Sequence, residues 1–319
     1  MDVCAVIVSY GDRAVFFTEV IERLAQHNLI KYIVLVNNDI QGQSADKLEE
    51  LRSNKKIIVV DQGHNSGSAK GFKDGIEKAL KLSTDFIWLL DDDNLPKDNA
   101  LNVLDSIWRD FSVSGKQNFA LLSYRPDREI YKKAILMESP SLMLGPENSF
   151  LGFHLFDKLK RITLNEKSKP YKITNYGKVS VAPYGGLFFH KSLINIIGLP
   201  DTKYFLYGDD YDFSYRITTR GNGIYLVLNS IVDDLEKSFH LKETNNRILS
   251  NRLIKTDSKS RIYYFVRNGI TFEQNFVSNK AIYIFNAVIH VFLTLLILFA
   301  NPRHLWKYKY YLKGIKASL

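Results

Sequence analysis

One cysteine stands in the whole chain, so no disulfide can staple the fold from within. Cys4 lies in the first apolar run and reads as a small core residue of a protein kept in a reducing cytoplasm. A secretory leader is not expected, because strand-like sequence begins almost at Met1. No internal repeat is visible, and no nucleic-acid-binding motif accompanies the basic residues. The Gly-Lys-Ser/Thr ending of a P-loop is also missing. Solenoids, disulfide scaffolds and P-loop NTPases are thereby set aside.

The chain carries 43 basic and 34 acidic residues, a net charge of +9, and is 45% hydrophobic. That apolar content suffices for a core, and the length suits an α/β enzyme with an appendage. The excess of cations is dispersed, except for a crowd at the C-terminus that follows the most apolar segment. This favours an anionic membrane over nucleic acid as the partner.

The first half alternates strand and helix patterns. Strands are expected at Val3–Ser9, Tyr32–Val36, Ile57–Val60 and Phe86–Leu90. Helices are expected at Phe16–His27, with Phe17, Val20, Ile21 and Leu24 on one face, and at Ala45–Leu51 and Gly71–Leu82. Such repetition predicts a mainly parallel sheet flanked by helices. A helix at Asp98–Phe111 and a strand at Phe119–Ser123 follow, and from Tyr131 to Lys178 no pattern is legible. Order returns at Val179–His190, with helices at Lys191–Ile197 and Tyr211–Arg220, a strand at Gly223–Leu228, and mainly helix from Lys259.

Asp91-Asp92-Asp93-Asn94 closes the buried run Phe86–Leu90, which places three carboxylates at the carboxyl end of a strand. Open α/β sheets bind ligands there. Adjacent carboxylates raise one another's pKa, and a hard divalent cation removes the conflict while taking substrate phosphates as further ligands. The pattern therefore reads as a metal-and-diphosphate site, against the plainer reading of a solvated acidic turn. His64-Asn65-Ser66-Gly67-Ser68-Ala69-Lys70-Gly71 opens a helix after the third strand; its small residues leave room for an anion, or merely connect two elements. Gly208-Asp209-Asp210-Tyr211-Asp212-Phe213 begins another helix, where acids cap well. Three acids in that turn also offer a general base.

Together with Val6-Ile7-Val8-Ser9-Tyr10, Val36-Asn37-Asn38, Gly185-Gly186-Leu187-Phe188 and Tyr263-Tyr264-Phe265-Val266-Arg267-Asn268, these motifs appear in one order over residues 3 to 268. In that order the chain resembles the inverting family-2 glycosyltransferases, specifically the bacterial rhamnosyltransferase and galactofuranosyltransferase group. The resemblance implies a GT-A fold with a catalytic domain at 1–258, split into a nucleotide-sugar half (1–125) and an acceptor half (126–258). A helical membrane-associated region at 259–319 would follow. It implies a UDP- or dTDP-linked sugar donor, rhamnose or galactofuranose, and a polyprenyl-linked bacterial surface glycan as acceptor. Asp91 and Asp93 would correspond to the metal pair for Mn²⁺ or Mg²⁺, with His240 completing the shell. Asp210 would be the base and Asp209 its neighbour orienting the acceptor, beside Gly185 and Gly186. Ser9, Asn37, Asn38, Asn65, Gly67, Lys70 and Asp92 would line the donor. The base-binding loop departs from the family's Asp-Asn, reading Asn37-Asn38-Asp39.

Residues 281–300 hold no Asp, Glu, Lys or Arg, long enough as a helix to span a hydrocarbon core of ~30 Å. Arg303, Lys307, Lys309, Lys313 and Lys316 then alternate with Trp306, Tyr308, Tyr310 and Tyr311, a composition suited to a membrane interface. A span would contradict the positive-inside bias, so a helix in the cytoplasmic leaflet comes first, then a span, then a core or homo-oligomer helix. Two other activities compete. An aspartate-nucleophile phosphatase wants Thr or Val two positions beyond its second acid, where Leu95 and Pro96 follow Asn94. A membrane-associated binding protein of the same fold without turnover is the other.

Overall fold

Val3 to Val8 are all buried, which is the burial of a strand covered on both faces. This is β1 (Val3–Gly11), and in the computed structural model it is followed by α1 (Ala14–Gln26), β2 (Ile30–Ile40), α2 (Gln43–Leu51), β3 (Ile57–Asp61), α3 (Ser68–Leu80) and β4 (Phe86–Asp91). Next come β5 (Asn94–Pro96), α4 (Ala100–Val113), β6 (Ala120–Tyr124), α5 (Glu129–Leu136), α6 (Leu155–Thr163), β7 (Tyr176–Val179), β8 (Leu187–His190), α7 (Leu193–Ile197), α8 (Asp209–Thr219) and β9 (Ile224–Asp234). α9 (Lys259–Glu273), α10 (Lys280–Phe299) and α11 (Trp306–Ser318) end the chain. The described residues are 1–163, 174–236, 253, 256–300 and 302–318.

The chain divides into two units: one formed by 1–143, 171–205 and 209–237, the other within 144–170, 206–208 and 238–319. In the first, the strands run β3-β2-β1-β4-β8-β6-β9-β5, with β7 also on β9. β3, β2, β1 and β4 are mutually parallel, as the alternating pattern requires. Beyond β4 the sheet is mixed: β8 runs antiparallel to both β4 and β6, and β5 and β7 run antiparallel to β9. The parallel expectation thus describes the first four strands, while the second half combines antiparallel pairs with the parallel pair β6–β9.

Alternate β1 residues feed the two cores. Cys4, Val6 and Val8 meet Phe72 and Ile76 of α3, while Val3, Ala5 and Ile7 meet Phe17, Val20, Ile21 and Leu24 of α1. Close packing explains two glycines on α3: a Cβ on Gly71 would lie 2.6 Å from Val8, and one on Gly75 2.5 Å from Val6. Burial pushes the Cys4 thiol up to about 12, which leaves it an inert core atom. The patternless stretch 131–178 contains α6 and most of α5 and β7. These elements are too short to show a period, and Gly177 of β7 packs on Ile135 of α5.

In the second unit Phe150, Leu253, Ile262, Val266, Ile270 and Tyr311 form the core. Asn268 of α9 donates from Nδ2 to the carbonyls of Leu206 (2.7 Å) and Tyr207 (2.9 Å). That bond explains the asparagine of the Tyr-Tyr-Phe-Val-Arg-Asn motif, which holds a loop whose Tyr207 has φ +69°. α10 is the one helix among the described residues long and apolar enough to cross a membrane.

Candidate active site

β1, β2, β3 and β4 end side by side, which brings Ser9, Asn37, Asn38, Asp61 and Asp91 to one edge of the sheet. Asp91 is the last residue of β4, and the turn after it is closed by Asn94, whose Oδ1 accepts the Asp91 N–H at 3.2 Å. Asn94 is fully buried, and its Nδ2 donates to Asp93 Oδ1 (3.1 Å) and Asp234 Oδ1 (2.9 Å). Arg125, also buried, pairs with Asp234 and reaches Asp91 Oδ2 at 3.4 Å. Neither Arg125 nor Asp234 belongs to a sequence motif.

The three acids separate into two kinds. Asp92 is neutralised: Ser9 Oγ donates to it at 2.6 Å, and Arg13 grips both oxygens through Nε (2.8 Å) and Nη2 (2.9 Å). A bidentate guanidinium clamp of this kind is strong and directional. Arg13 also pairs with Glu236 at 2.6 Å. Asp91 and Asp93 are compensated more weakly, by Arg125 Nη1 at 3.4 Å and by Arg13 Nη2 at 3.7 Å. Desolvation raises Asp91, Arg125 opposes it, and Asp234 adds to the rise. Desolvation also raises Asp93, followed by the charges of Asp91, Asp92 and Asp234.

No group of three or more His, Cys, Asp or Glu side chains arranged to hold a metal occurs among the described residues. His240 lies outside them. A pair of under-compensated carboxylates nevertheless fits a Mg²⁺- or Mn²⁺-type cation, which takes one or two carboxylates and fills its shell with water and substrate phosphates. Asp91 and Asp93 are thus the described residues whose chemistry suits such an ion.

The expected donor residues are largely engaged with one another. Asn38 Oδ1 accepts from the backbone N–H and hydroxyl of Ser66 (2.8 and 3.0 Å), and its Nδ2 reaches the Gly67 carbonyl (3.3 Å) and Asn65 Oδ1 (3.4 Å). It ties the end of β2 to the turn before α3. The start of α3 does not stand open for an anion: Ala69 N–H donates to the Phe205 carbonyl. Gly67 permits this approach, having φ +84° and a Cβ position 2.2 Å from that oxygen. Lys70 points along its own helix to Asp74 at 2.6 Å. Asn37 Nδ2 donates to Asp61 Oδ1 at 2.8 Å. Asn37 and Arg52 outweigh burial and hold the Asp61 carboxyl below its ordinary value. Asp61 was missed from sequence; its position at the end of β3, beside Asn37, was the available signal.

The second acidic motif opens α8. Asp209 is buried, and Ser68 Oγ donates to its Oδ2 at 2.8 Å. Burial and then the charge of Asp210 raise its pKa, and Asp91 adds to the rise. The two acidic motifs are therefore within electrostatic reach of each other. Asp210 is only half-buried and accepts the N–H of Tyr211 at 2.9 Å. Asp212 turns away to Arg216 (3.3 Å) and Tyr204 (3.4 Å). The Tyr184 ring packs against Phe72 with centroids 4.1 Å apart and planes tilted by 31°, and its buried hydroxyl has no partner among the described residues. After desolvation, the charges of Asp209 and Asp210 are what most raise its pKa. Gly185 is set against the first acidic motif, where a Cβ would stand 2.1 Å from Asn94 Oδ1 and 2.8 Å from Asp91 Oδ2; Gly186, with φ +97°, lies over Ser123.

The family model for glycosyltransferase like family 2 matches residues 2–251. Galactofuranosyltransferase GlfT1 of Mycolicibacterium smegmatis is 24% identical over 222 residues, covering 69% of this chain and 66% of that protein. GlfT1 of Mycobacterium tuberculosis is 26% identical over 199 residues, 62% of this chain and 58% of the relative. The chain thus spans just under two thirds of the length of these curated relatives. Among solved structures, GalNAc-T7 with UDP, GalNAc and Mn²⁺ superposes with a TM-score of 0.53 at 14% identity, over 85% of this chain and 49% of that one. S. aureus TarS 1–349 in complex with UDP gives 0.51 at 13%, over 94% and 74%. The mannosyltransferase PcManGT from Pyrobaculum calidifontis, with GDP-Man and Mn²⁺, gives 0.50 at 12%, over 99% and 86%. Identities this low speak for the fold alone, which is GT-A. With acids at the strand ends, a second acidic pair opening α8 and a family match over most of its length, the chain belongs to glycosyltransferase like family 2.

Proposed function

We propose that the protein transfers a hexose, galactofuranose or rhamnose, from a UDP- or dTDP-linked donor to a polyprenyl-linked bacterial surface glycan, with inversion at the anomeric carbon. The observation that carries this reading is the approach of two acidic motifs that differ in state: Asp91 and Asp93 left under-compensated, and Asp209 raised beside a more open Asp210. Asp91 and Asp93 would hold a divalent cation, which when bound would supply Lewis-acid stabilisation of the departing diphosphate. Asn94 and Arg125 brace Asp91, and Arg13 and Ser9 occupy both oxygens of Asp92, which leaves Asp91 and Asp93 as the acids that would hold the cation. Asp61 and Asn37 offer an acceptor and a donor to the nucleobase at the neighbouring strand ends.

Asp209, raised to about 8 by burial and the charge of Asp210, keeps its proton near neutral pH. Asp210 is the more open of the two and is the carboxylate we assign as base. Asp210 then takes the proton of the acceptor hydroxyl as that oxygen attacks from the face opposite the diphosphate. Ser68 keeps Asp209 oriented beside it. The acceptor's lipid places this work at the cytoplasmic face of the membrane, with the protein peripheral or monotopic there. The test is a panel of nucleotide sugars with and without Mn²⁺, read by product mass. Metal-dependent transfer of one hexose with an inverted anomeric centre is expected; binding without hydrolysis or transfer of any donor would refute the reading.

A further inference from the structure

α10 is inverted for a helix packed on its own unit. Its polar side chains Asn286, His290 and Thr294, four residues apart, are the buried ones. Asn286 Nδ2 donates to the Asn148 carbonyl and its Oδ1 accepts the Leu155 N–H, both at 3.0 Å. His290 Nδ1 and the Tyr311 hydroxyl share a hydrogen bond of 2.7 Å. The opposite face bears Ile284, Val288, Phe292 and Leu296, each between 48% and 63% exposed. Isolated exposed apolar residues need no explanation, but an unbroken stripe of roughly 20 Å does.

The stripe continues beyond the helix. Phe285 stacks on Phe156 of α6, with ring centroids 5.8 Å apart and planes within 11°. Phe156 and Leu159 are themselves 58% and 49% exposed. The Asn286–Leu155 hydrogen bond fixes the start of α6 against α10, so two helices present one apolar face. The chain from α10 onward carries charge of one sign, since no Asp or Glu occurs after Glu273 whereas Lys280, Arg303, Lys309, Lys313 and Lys316 all do, and α6 adds Lys158 and Lys160 against Asp157. An apolar surface on helices with an excess of cations matches a leaflet containing anionic lipid better than it matches a protein partner. A helix crossing the bilayer would have to present Asn286, His290 and Thr294 to hydrocarbon or to another chain. Here residues 148, 155 and 311 already take up the hydrogen bonds of Asn286 and His290.

Building on the membrane reading above, we propose that α6 and α10 together form an in-plane docking surface for an anionic phospholipid leaflet. α10 lies parallel to the membrane with Ile284, Val288, Phe292 and Leu296 below the headgroups, and Phe156 and Leu159 of α6 enter beside them. The second helix, invisible in the hydropathy of the sequence, is what the structure adds.

Cys4 is fully buried, so single cysteines introduced on this face can be labelled selectively in the full-length protein. Ile284→Cys, Val288→Cys, Phe292→Cys, Leu296→Cys and Leu159→Cys would each carry an environment-sensitive fluorophore. Depth-calibrated quenchers in phosphatidylcholine–phosphatidylglycerol vesicles then report immersion, with pure phosphatidylcholine as the comparison. One common shallow depth at all five positions is expected, with weaker binding to the neutral vesicles. A graded profile, shallow at 284 and deep at 292, would show a span and overturn the proposal. Labels that stay aqueous with vesicles overturn it too, as do labels shielded without vesicles in a dimer, which would make a second copy the occupant. Phe156→Ser with Leu159→Ser should weaken vesicle flotation about tenfold; unchanged flotation removes α6 from the surface. Donor hydrolysis measured in the same samples is independent of depth, so failure of the transferase reading and failure of docking are separately visible.

Discussion

Replacing Gly185 with alanine adds one methyl group at the point where three polar side chains converge. The new Cβ would lie 2.1 Å from Asn94 Oδ1, 2.6 Å from Arg125 Nη1 and 2.8 Å from Asp91 Oδ2, where ordinary contact begins at 3.4 Å. Asn94 must therefore retreat by roughly 1.3 Å, since repulsion rises steeply inside contact distance. It cannot swing freely: its Oδ1 holds the Asp91 N–H and its Nδ2 holds Asp93 and Asp234. Losing two of these buried hydrogen bonds costs about 2 kcal/mol of stability, a loss a domain of this size survives. The catalytic effect is larger, because a displacement of about 1 Å in a positioned group costs ~10²-fold in rate. Gly185→Ala should remain folded by circular dichroism, bind Mn²⁺ more weakly, and hydrolyse donor about a hundredfold more slowly. Gly186→Ala is the control: with φ +97° and Ser123 Cβ at 3.1 Å, its strain falls on the backbone and should lower melting temperature first. If Gly185→Ala keeps both Mn²⁺ affinity and turnover, Asn94, Arg125 and Asp91 do not act as one constellation.

Asp93→Asn removes a charge that burial already disfavours, so melting temperature should hold or rise while metal-dependent donor hydrolysis falls by orders of magnitude. Comparable activity of the variant in Mn²⁺ and in EDTA-treated samples would argue against the metal pair. Asp210→Asn should lower turnover ~10²–10⁴-fold with donor affinity kept. Asp209→Asn, which mimics an acid already protonated, should retain most activity, and the reverse ranking in parallel kcat measurements would exchange the two roles. Burial pushes Glu273 from its ordinary 4.5 up to about 7, although the N–H groups of Leu151 and Gly152 and the Tyr283 hydroxyl oppose the rise. Its folded pKa is raised, so the stability it contributes is complete below about 4.5 and is lost as pH climbs through about 7. Glu273→Gln should remove that loss, about 3 kcal/mol in the alkaline limit, read by hydrogen exchange of α9 at about pH 5 and about pH 9. Parallel pH profiles for the two proteins would show that Glu273 is not the group responsible.

The sequence determined the local pattern of burial, because burial is written in the spacing of neighbouring residues. Phe17, Val20, Ile21 and Leu24 are the buried face of α1, and Phe86–Leu90 is a fully covered strand ending in acids. The expected helix at Tyr211 begins two residues earlier, at Asp209, since a half-buried first turn carries little apolar signal. The expected strand ending at Leu228 runs on to Asp234, where the residues that pair with β5 are largely polar. β5 itself, three residues with a proline, has no period to read. Motif order was enough for the family. Only the tertiary structure decided that Arg13 disarms Asp92, that Arg125 and Asp234 brace Asp91, and that Phe205 covers the start of α3. Likewise, the length and apolarity of α10 are properties of one segment, while the choice of Asn286, His290 and Thr294 as its buried face belongs to α6 and α11. Periodicity is local and survives in the chain as written. Charge partners and hydrogen-bond partners are chosen by which strands and helices become neighbours, and that information exists only once the chain has folded.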